Sequence, residues 1–454
     1  MATKSILNTV ERKFILLIGD LILIGLSLRG YILRAVDYQE SEPFLYQIGI
    51  LIMGIITYIT LAYIFELYNL KSIPKSVTSS IMRVLTIVSL FTISVVVITT
   101  LLFDFAYWRI HLFIFLISSP VQLILWRLLF NYVFKFVPTV KNVLYIYDAT
   151  TKTTLERDIA NINGDDNETY FRVVSTYLND NEGVDFNNNN YRNIDTWIIN
   201  TRSYNHFSPH MEHELVKFLL SGKEVITYSS FYETTYEALP INSHNDSLYE
   251  ILQLNNSKIR YLQGLSGFAF NFLLTLISGL TFLLTIPFVA FFNIFLNPGP
   301  LFYVQLRVGK NGEEYKVYKF RSMVVDAEKK GAKMATKNDA RVTKFGKILR
   351  KFRIDELPQI ISVLRGDMSF IGPRPERKIF VDKLNKITPF YNVRHLVKPG
   401  ITGWAQVKYK YGENLEDSIR KLEYDLYYIK NKSVVLDIRI IFKTLTTILF
   451  SRGI

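Results

Sequence analysis

Cysteine is absent from the 454 residues of this chain. Its absence excludes disulfide scaffolds, thiol nucleophiles and Cys-ligated zinc or iron–sulfur centres, and it fits a reducing compartment. Charge is scarce as well, 20% of residues against 49% hydrophobic, which excludes a disordered or extended polar chain. Of the two signs the acidic is the rarer, 40 residues against 53 Lys and Arg, for a net charge of +13. The imbalance is local. Residues 1–296 hold 21 Lys and Arg against 24 Asp and Glu, whereas 297–454 hold 32 against 16. The whole positive excess therefore sits in the last third. What the chain has in quantity is aromatic side chains, 33 Phe and 28 Tyr among them, which suits contact with a membrane. The length suggests roughly two to four domains.

Four apolar stretches open the chain, Phe14–Leu33, Leu45–Leu67, Ile81–Phe103 and Leu112–Phe130. Each has about the 20 residues needed to cross a bilayer core. The first lacks a small-residue cleavage site, carries Asp20 and Arg29, and is followed by further spans, unlike a signal peptide. Lys4, Arg12 and Lys13 precede the first stretch, Lys71 and Lys75 separate the second from the third, and Lys135 and Lys141 follow the fourth. The positive-inside bias then predicts four transmembrane helices with both ends cytoplasmic. Asp20, Arg29 and Arg127 are expected to snorkel at helix ends or to pair inside the bundle.

Residues 141–265 alternate between strand and helix patterns. Strands are expected at Val143–Tyr147, Phe171–Leu178, Thr196–Ile199 and Glu224–Thr227, with helices at Thr151–Asn161 and Pro209–Leu220. The pattern predicts a small doubly wound α/β domain, Rossmann-like in class. The turn after its first strand, Asp148 to Lys152, contains no glycine, so the backbone lacks the close approach that a dinucleotide pyrophosphate requires. His206, His210 and His213 lack a completing set of carboxylates, which argues against a metal centre. A regulatory or oligomerisation role fits this segment better.

Phe268–Phe295 is long enough to span. Crossing, however, would carry the 32 basic residues that follow to the outside, against the positive-inside bias. Pro287 also interrupts the run and favours a bend. The expectation is a re-entrant membrane helix that returns to the cytoplasmic leaflet, a plain kinked span being the alternative.

The last third carries the chemistry. A hairpin, Leu301–Leu306 with Tyr315–Lys319, leads to Lys319-Phe320-Arg321-Ser322-Met323. Further on, Asp355-Glu356 stands where a helix would start, with Pro358 in the first turn. Adjacent carboxylates on a helix project about 100° apart, so one can attack while the other binds a metal. Arg350 lies close in sequence, and Arg374 sits between Pro373 and Pro375 on a stiff turn. Arg suits bidentate phosphate recognition. These are the parts of phosphoryl transfer through an aspartyl-phosphate. The plainer reading of Asp355-Glu356 is a helix cap and its dipole partner. Val434–Phe450 reads equally as an interfacial helix and as a core helix.

Four blocks in one order decide between readings. They are Lys319 to Met323, Asp355-Glu356-Leu357-Pro358-Gln359, Arg365 to Glu376, and Lys398-Pro399-Gly400-Ile401-Thr402-Gly403-Trp404-Ala405-Gln406-Val407. Together they closely resemble the bacterial sugar transferase family, monotopic polyprenyl-phosphate phosphoglycosyl transferases that start exopolysaccharide, capsule and O-antigen synthesis. The spans and α/β segment ahead of them resemble the long, WbaP-like form.

The resemblance implies transfer of a sugar-1-phosphate from a UDP-sugar to undecaprenyl phosphate with release of UMP, at the cytoplasmic face of the bacterial inner membrane. It implies Asp355 as nucleophile, Glu356 as the Mg²⁺-binding partner, Arg350 and Arg374 on substrate phosphates, and Pro287 as the membrane-helix kink. Lys319 and Arg321 fall in the family's basic motif, with a phosphate contact expected of them. Ile286 stands before Pro287 where the best-known members carry Ser, and the middle segment lacks the Gly-rich turn often seen in long members.

The expected organisation is therefore four transmembrane helices over 1–140, the α/β domain over 141–265, the re-entrant helix over 266–296 and a mainly helical catalytic domain over 297–454. Membrane lipids are expected partners and a homodimer is the default oligomer. The rival reading is an inactive membrane scaffold or sensor that binds nucleotide sugars or lipid phosphates. Nucleic acid is not an expected partner, since the basic residues are interleaved with Asp-Glu and Pro-Arg-Pro motifs behind membrane spans.

Overall fold

A computed structural model describes residues 9–36, 44–64, 67–68, 77–102, 109–134, 141–163, 171–179, 193–201, 207–241, 257–327, 339–409 and 415–449. The chain is mostly helical, contains a parallel sheet, and divides into two compact units, Met1–Tyr228 and Ser229–Ile454.

The first unit opens with α1 (Thr9–Val36), α2 (Phe44–Ile64), α3 (Val77–Leu102) and α4 (Arg109–Phe134). These share one apolar core in which Ile24 and Leu28 of α1 meet Tyr58 of α2, Phe91 of α3 and Phe115 of α4. Phe14, Leu26, Phe113 and Leu125 face outward, as on helices immersed in lipid rather than water. Among the described residues, Arg12–Tyr31 and Phe113–Phe130 are each long and apolar enough to cross a membrane, and α2 and α3 contribute the apolar stretches Leu51–Ala62 and Val84–Val97. Of the charges singled out in the apolar stretches, Asp20 and Arg127 pair inside this unit, and Arg29 is exposed. Asp20 is fully buried, forms an ion pair with Arg127, and accepts hydrogen bonds from Tyr58 (3.1 Å) and Tyr68 (2.7 Å).

A four-stranded parallel sheet follows, in the order β2-β1-β3-β4, from β1 (Lys141–Tyr147), β2 (Phe171–Leu178), β3 (Thr196–Asn200) and β4 (Glu224–Thr227). Val143 to Ile146 of β1 are fully buried, which explains why the central strand reads as an unbroken apolar run. The crossover helices are α5 (Lys152–Asn163) and α6 (Pro209–Leu220). Ser208 caps α6 by accepting from the Met211 amide, with Pro209 in the first turn. His210 and His213 are exposed on α6, and His206 lies outside the described residues.

The second unit begins with α7 (Tyr228–Tyr236), which starts at the boundary, and continues with α8 (Ser257–Leu296), an uninterrupted helix of 40 residues with Pro287 inside it. Asn271–Leu296 is the third segment long and apolar enough to cross a membrane. Along α8, Phe282, Val289, Asn293 and Asn297 just beyond it are buried, while Leu276, Leu283, Phe288 and Phe295 are exposed. One stripe therefore packs on the unit and the opposite stripe is bare and apolar.

The hairpin of β5 (Phe302–Val308) and β6 (Glu314–Phe320) turns through Asn311 and Gly312, both at positive φ. Beyond it come α9 (Lys344–Lys351), α10 (Ile360–Leu364), β7 (Ser369–Ile371), α11 (Lys378–Ile387), β8 (Gly400–Thr402), α12 (Trp404–Lys408), α13 (Leu415–Lys430) and α14 (Val434–Leu449). The main core gathers around Trp404 with Tyr391, Leu384, Leu422, Leu426 and Tyr428. Leu436, Asp437 and Ile440 of α14 are buried there as well. That face of α14 is core.

Candidate active site

Close packing brings the motif segments together. Thr343 caps α9 by accepting from the Gly346 amide at 2.9 Å. A Cβ on Gly346 would lie 2.0 Å from the Ser322 carbonyl oxygen, so only glycine lets α9 sit this close to the chain leaving β6. The contact places Arg350, one turn later, with its Nε donating to Ser322 Oγ at 2.9 Å.

After α9 the chain reverses at Arg353, which is left-handed with φ 53° and ψ 23°. Non-glycine residues rarely adopt this region. Ile354–Gln359 then forms a 3₁₀ turn capped by Arg353, with Asp355 and Glu356 in its first turn and Pro358 inside. The sequence placed Asp355 itself at the cap of an α-helix. The structure moves the cap two residues earlier, and regular α-helix starts only at Ile360. A turn built on i to i+3 bonds is tighter, so successive side chains project about 120° apart. The case for charge stabilisation by a long helix end falls away. Side chains supply the field instead.

Glu356 receives three cations. Arg374 donates to Oε1 at 2.6 Å, Lys319 approaches the same oxygen at 3.3 Å, and Arg353 donates to Oε2 at 3.3 Å. Asp355 is as deeply buried, at 8% exposed, yet makes no side-chain hydrogen bond among the described residues. The two carboxylates thus become chemically unequal. Burial pushes Asp355 above the usual aspartate range, the Glu356 charge adds to this, and Lys319, Arg350 and Arg374 only partly offset it. Burial would raise Glu356 too, but Arg374, Lys319 and Arg353 together outweigh it and hold that carboxyl well below its usual range.

Arg374 stands on a loop fastened from three sides. The Gly372 amide donates to Thr402 O and the Gly400 amide to Pro373 O, each at 2.9 Å. A Cβ on Gly372 would meet the Lys398 carbonyl oxygen at 2.4 Å, which accounts for glycine at this crossing. Arg394 is buried, pairs with Asp425 at 2.8 Å and donates to the Arg374 carbonyl at 2.7 Å. Arg307 of β5 donates to Pro375 O at 3.1 Å and to Glu376 at 3.2 Å.

The structure therefore brings Lys319, Arg350, Asp355, Glu356 and Arg374 to one place. Arg321 does not join them. Its guanidinium donates to Pro300 O, to Asn297 O and Oδ1, and to Met323 O, joining the end of α8 to the end of β6. Pro287 lies within α8 and makes no part of this cluster. Arg353, Arg307, Arg394 and Asp425 were not singled out by sequence reasoning. Arg353 adjoins the dyad and was visible by position. The other three carry no local signal for this role, because the contacts by which they fasten the Arg374 loop reach partners 20 to 69 residues away.

As a seat for Mg²⁺, the dyad offers two carboxylates. Among the described residues no group of three or more His, Cys, Asp or Glu is arranged to hold a metal ion. A carboxylate has about four acceptor positions, and three on Glu356 are taken, leaving room for one more contact. Such a pair fits Mg²⁺ if phosphate oxygens and water complete its shell, the mode this ion favours.

Residues 264–451 match the family described as Bacterial sugar transferase. The chain is 42% identical over 155 residues to an uncharacterized sugar transferase, EpsL, of Bacillus subtilis, covering 34% of this chain and 73% of that protein. The chain belongs to the bacterial sugar transferase family. It is also 53% identical over 157 residues to a UDP-N-acetylgalactosamine-undecaprenyl-phosphate N-acetylgalactosaminephosphotransferase of Aeromonas hydrophila, covering 35% of this chain and 37% of the relative. With a UDP-glucose:undecaprenyl-phosphate glucose-1-phosphate transferase of Escherichia coli it shares 47% identity over 150 residues, 33% and 32% of the two chains. The matched segment thus spans about a third of the length of these last two relatives.

Proposed function

We propose that this family member transfers a sugar-1-phosphate from a UDP-sugar to undecaprenyl phosphate, releasing UMP and forming the undecaprenyl-diphosphate sugar that begins exopolysaccharide, capsule or O-antigen synthesis. One observation carries the mechanism: of two adjacent buried carboxylates, Glu356 is held by three cations and Asp355 by no hydrogen bond. Asp355 is the more basic anion and has its oxygens available, so it is the nucleophile.

In the first step an Asp355 carboxylate oxygen bonds to the phosphorus that bears the sugar. The bond from that phosphorus to the bridging oxygen breaks, and UMP leaves with the oxygen and its electron pair. In the second step a phosphate oxygen of undecaprenyl phosphate bonds to the same phosphorus. The Asp355–phosphorus bond breaks and the carboxylate is restored. Arg374, Arg350 and Lys319 hold and neutralise phosphate oxygens, because catalysis here is chiefly positioning and charge stabilisation. Glu356 would hold Mg²⁺ at this site, and the ion would supply further neutralisation of the diphosphate.

We read α8 as the re-entrant element and the catalytic unit as lying on the cytoplasmic face of the inner membrane. Near the start of the apolar run, Asn271 Oδ1 accepts from Ser369 Oγ at 2.8 Å and the Phe370 amide at 3.0 Å. Beyond its end, Asn297 Nδ2 donates to Arg321 O at 2.8 Å. Helix of this length rises about 39 Å at 1.5 Å per residue, enough to cross. Yet both ends of the run are fastened to one unit, and a crossing helix has its ends on opposite sides. The domain division over 1–140, 141–265, 266–296 and 297–454 belongs to the same reading.

The test is purified full-length protein in detergent or nanodiscs with Mg²⁺, undecaprenyl phosphate and a panel of UDP-sugars. The expected product is UMP, with a phosphosugar adduct on Asp355 when the lipid is omitted. Absence of UMP with every UDP-sugar from folded protein would sink the reading.

A further inference from the structure

Two arginines precede the dyad, Arg321 in the basic motif and Arg353 just ahead of Asp355, and the structure gives them opposite conditions. Arg321, whose place in the basic motif suggests a phosphate contact, is buried at 7% exposed, and all three of its guanidinium nitrogens donate to protein oxygens. An arginine in that condition has little left for a ligand. Arg353 has five N–H donors and places one of them, to Glu356 Oε2 at 3.3 Å, with a third of its side chain exposed. Its backbone is the left-handed residue that caps the dyad turn, and unfavourable backbone of this kind recurs at functional sites.

We propose that Arg353, not Arg321, supplies the additional phosphate contact at this site. Arg321 fastens the end of the apolar helix to β6. The inference rests on the transferase reading and deepens it. In the ligand-free chain Arg353 helps to neutralise Glu356. When a phosphate enters beside Asp355, the same guanidinium has donors to spare for its oxygens while the charge on Glu356 remains shared with Arg374 and Lys319. Both substrates present phosphate oxygens, the UDP-sugar as a diphosphate and the acceptor as a monoester, so the shared chemistry is an anionic phosphoryl oxygen meeting a partly exposed arginine.

The experiment compares wild type with Arg353→Asn and Arg353→Lys in the full chain. Asn tolerates the left-handed backbone and removes the charge, whereas Lys keeps the charge. The expected result is a rise of about tenfold or more in KM for one substrate with Asn, from loss of a charge-assisted hydrogen bond, partial recovery with Lys, and an unchanged melting temperature. A rise confined to the UDP-sugar assigns Arg353 to the donor, and one confined to undecaprenyl phosphate assigns it to the acceptor. Unchanged KM for both substrates overturns the proposal. So does an increase only in the Mg²⁺ concentration required, which would make Arg353 a partner of Glu356 alone. Calorimetric binding of UMP and of undecaprenyl phosphate to the same proteins separates this from failure of the transferase reading. If wild type releases no UMP, weaker binding of either by Arg353→Asn still supports the phosphate contact, and equal binding of both overturns it.

Discussion

Two polar clusters in this chain, one of amide and hydroxyl groups and one of charged groups, differ in how completely they are satisfied. At the carboxyl edge of the parallel sheet, Asn200 is buried and its Nδ2 donates to Tyr145 OH at 2.8 Å and Thr154 Oγ1 at 3.2 Å. Thr151 Oγ1 donates to Asn200 O at 2.9 Å and accepts from the Asp148 amide at 3.0 Å. Such edges are where open α/β sheets bind ligands, yet here the side chains answer one another. Around Asp355 the balance is different. Two carboxylates face Lys319, Arg350, Arg353 and Arg374, one carboxylate is unbonded, and the arginines keep unused donors. A cluster that closes on itself stabilises a fold, and a cluster with surplus charge of one sign awaits a ligand of the other.

The largest break in that comparison comes from removing the unbonded carboxylate. Asp355→Asn is expected to lower turnover by on the order of a thousandfold or more and to abolish the adduct seen by intact-protein mass spectrometry. The same variant should melt higher than wild type. Folding raises the Asp355 pKa, so the folded protein binds that proton more tightly than the unfolded chain, and stability falls as pH rises from the ordinary aspartate range through the raised value. An uncharged isostere removes that cost. A lower melting temperature would show that Asp355 is satisfied after all.

Next in size is the closed arginine. Arg321→Met removes a buried guanidinium that donates to the buried Asn297 and to the carbonyls of Pro300 and Met323, and about 3 kcal/mol of stability should go with it, measured by denaturant unfolding in detergent. A stable variant with raised KM would return Arg321 to the substrate. Arg374→Lys keeps the charge and loses the planar fork, so kcat/KM is expected to fall about tenfold. Turnover should carry an acidic limb above the usual aspartate range, because the anion is the competent form and is lost as pH falls through the raised Asp355 pKa. Asn200→Ala is the smallest change. About 1 kcal/mol of stability is expected to be lost with both substrate KM values unmoved, and a shifted KM would mean that the sheet edge serves the reaction.

Much of this was legible in the chain itself. The strand at Phe171–Leu178 and the helix at Pro209–Leu220 fall where periodicity and the Ser208-Pro209 start signal put them, since a two-residue or 3.6-residue repeat is a local property. The motif blocks around Asp355, Arg374 and Trp404 identified the family because residue order needs no coordinates. The Asp20–Arg127 pair was legible only as a tendency, charges in an apolar run needing partners. The second and third apolar stretches, read at Leu45–Leu67 and Ile81–Phe103, correspond to helices over Phe44–Ile64 and Val77–Leu102.

Composition and order determined that this chain is a basic, membrane-associated bacterial sugar transferase with Asp355, Glu356, Arg350 and Arg374 as its candidate chemistry. Tertiary structure alone decided which of those groups are satisfied. Arg321 and Arg353 are the same residue type in two basic stretches ahead of the dyad, and only the approach of Asn297, Pro300 and Met323 saturates the first. Asp355 and Glu356 are adjacent carboxylates, and beyond the local Arg353 it is the arrival of Lys319 from β6 and Arg374 from a loop 18 residues away that makes them unequal. Hydrogen bonds act within about 3 Å. Whether a side chain has one depends on segments far off in sequence, which no local pattern encodes.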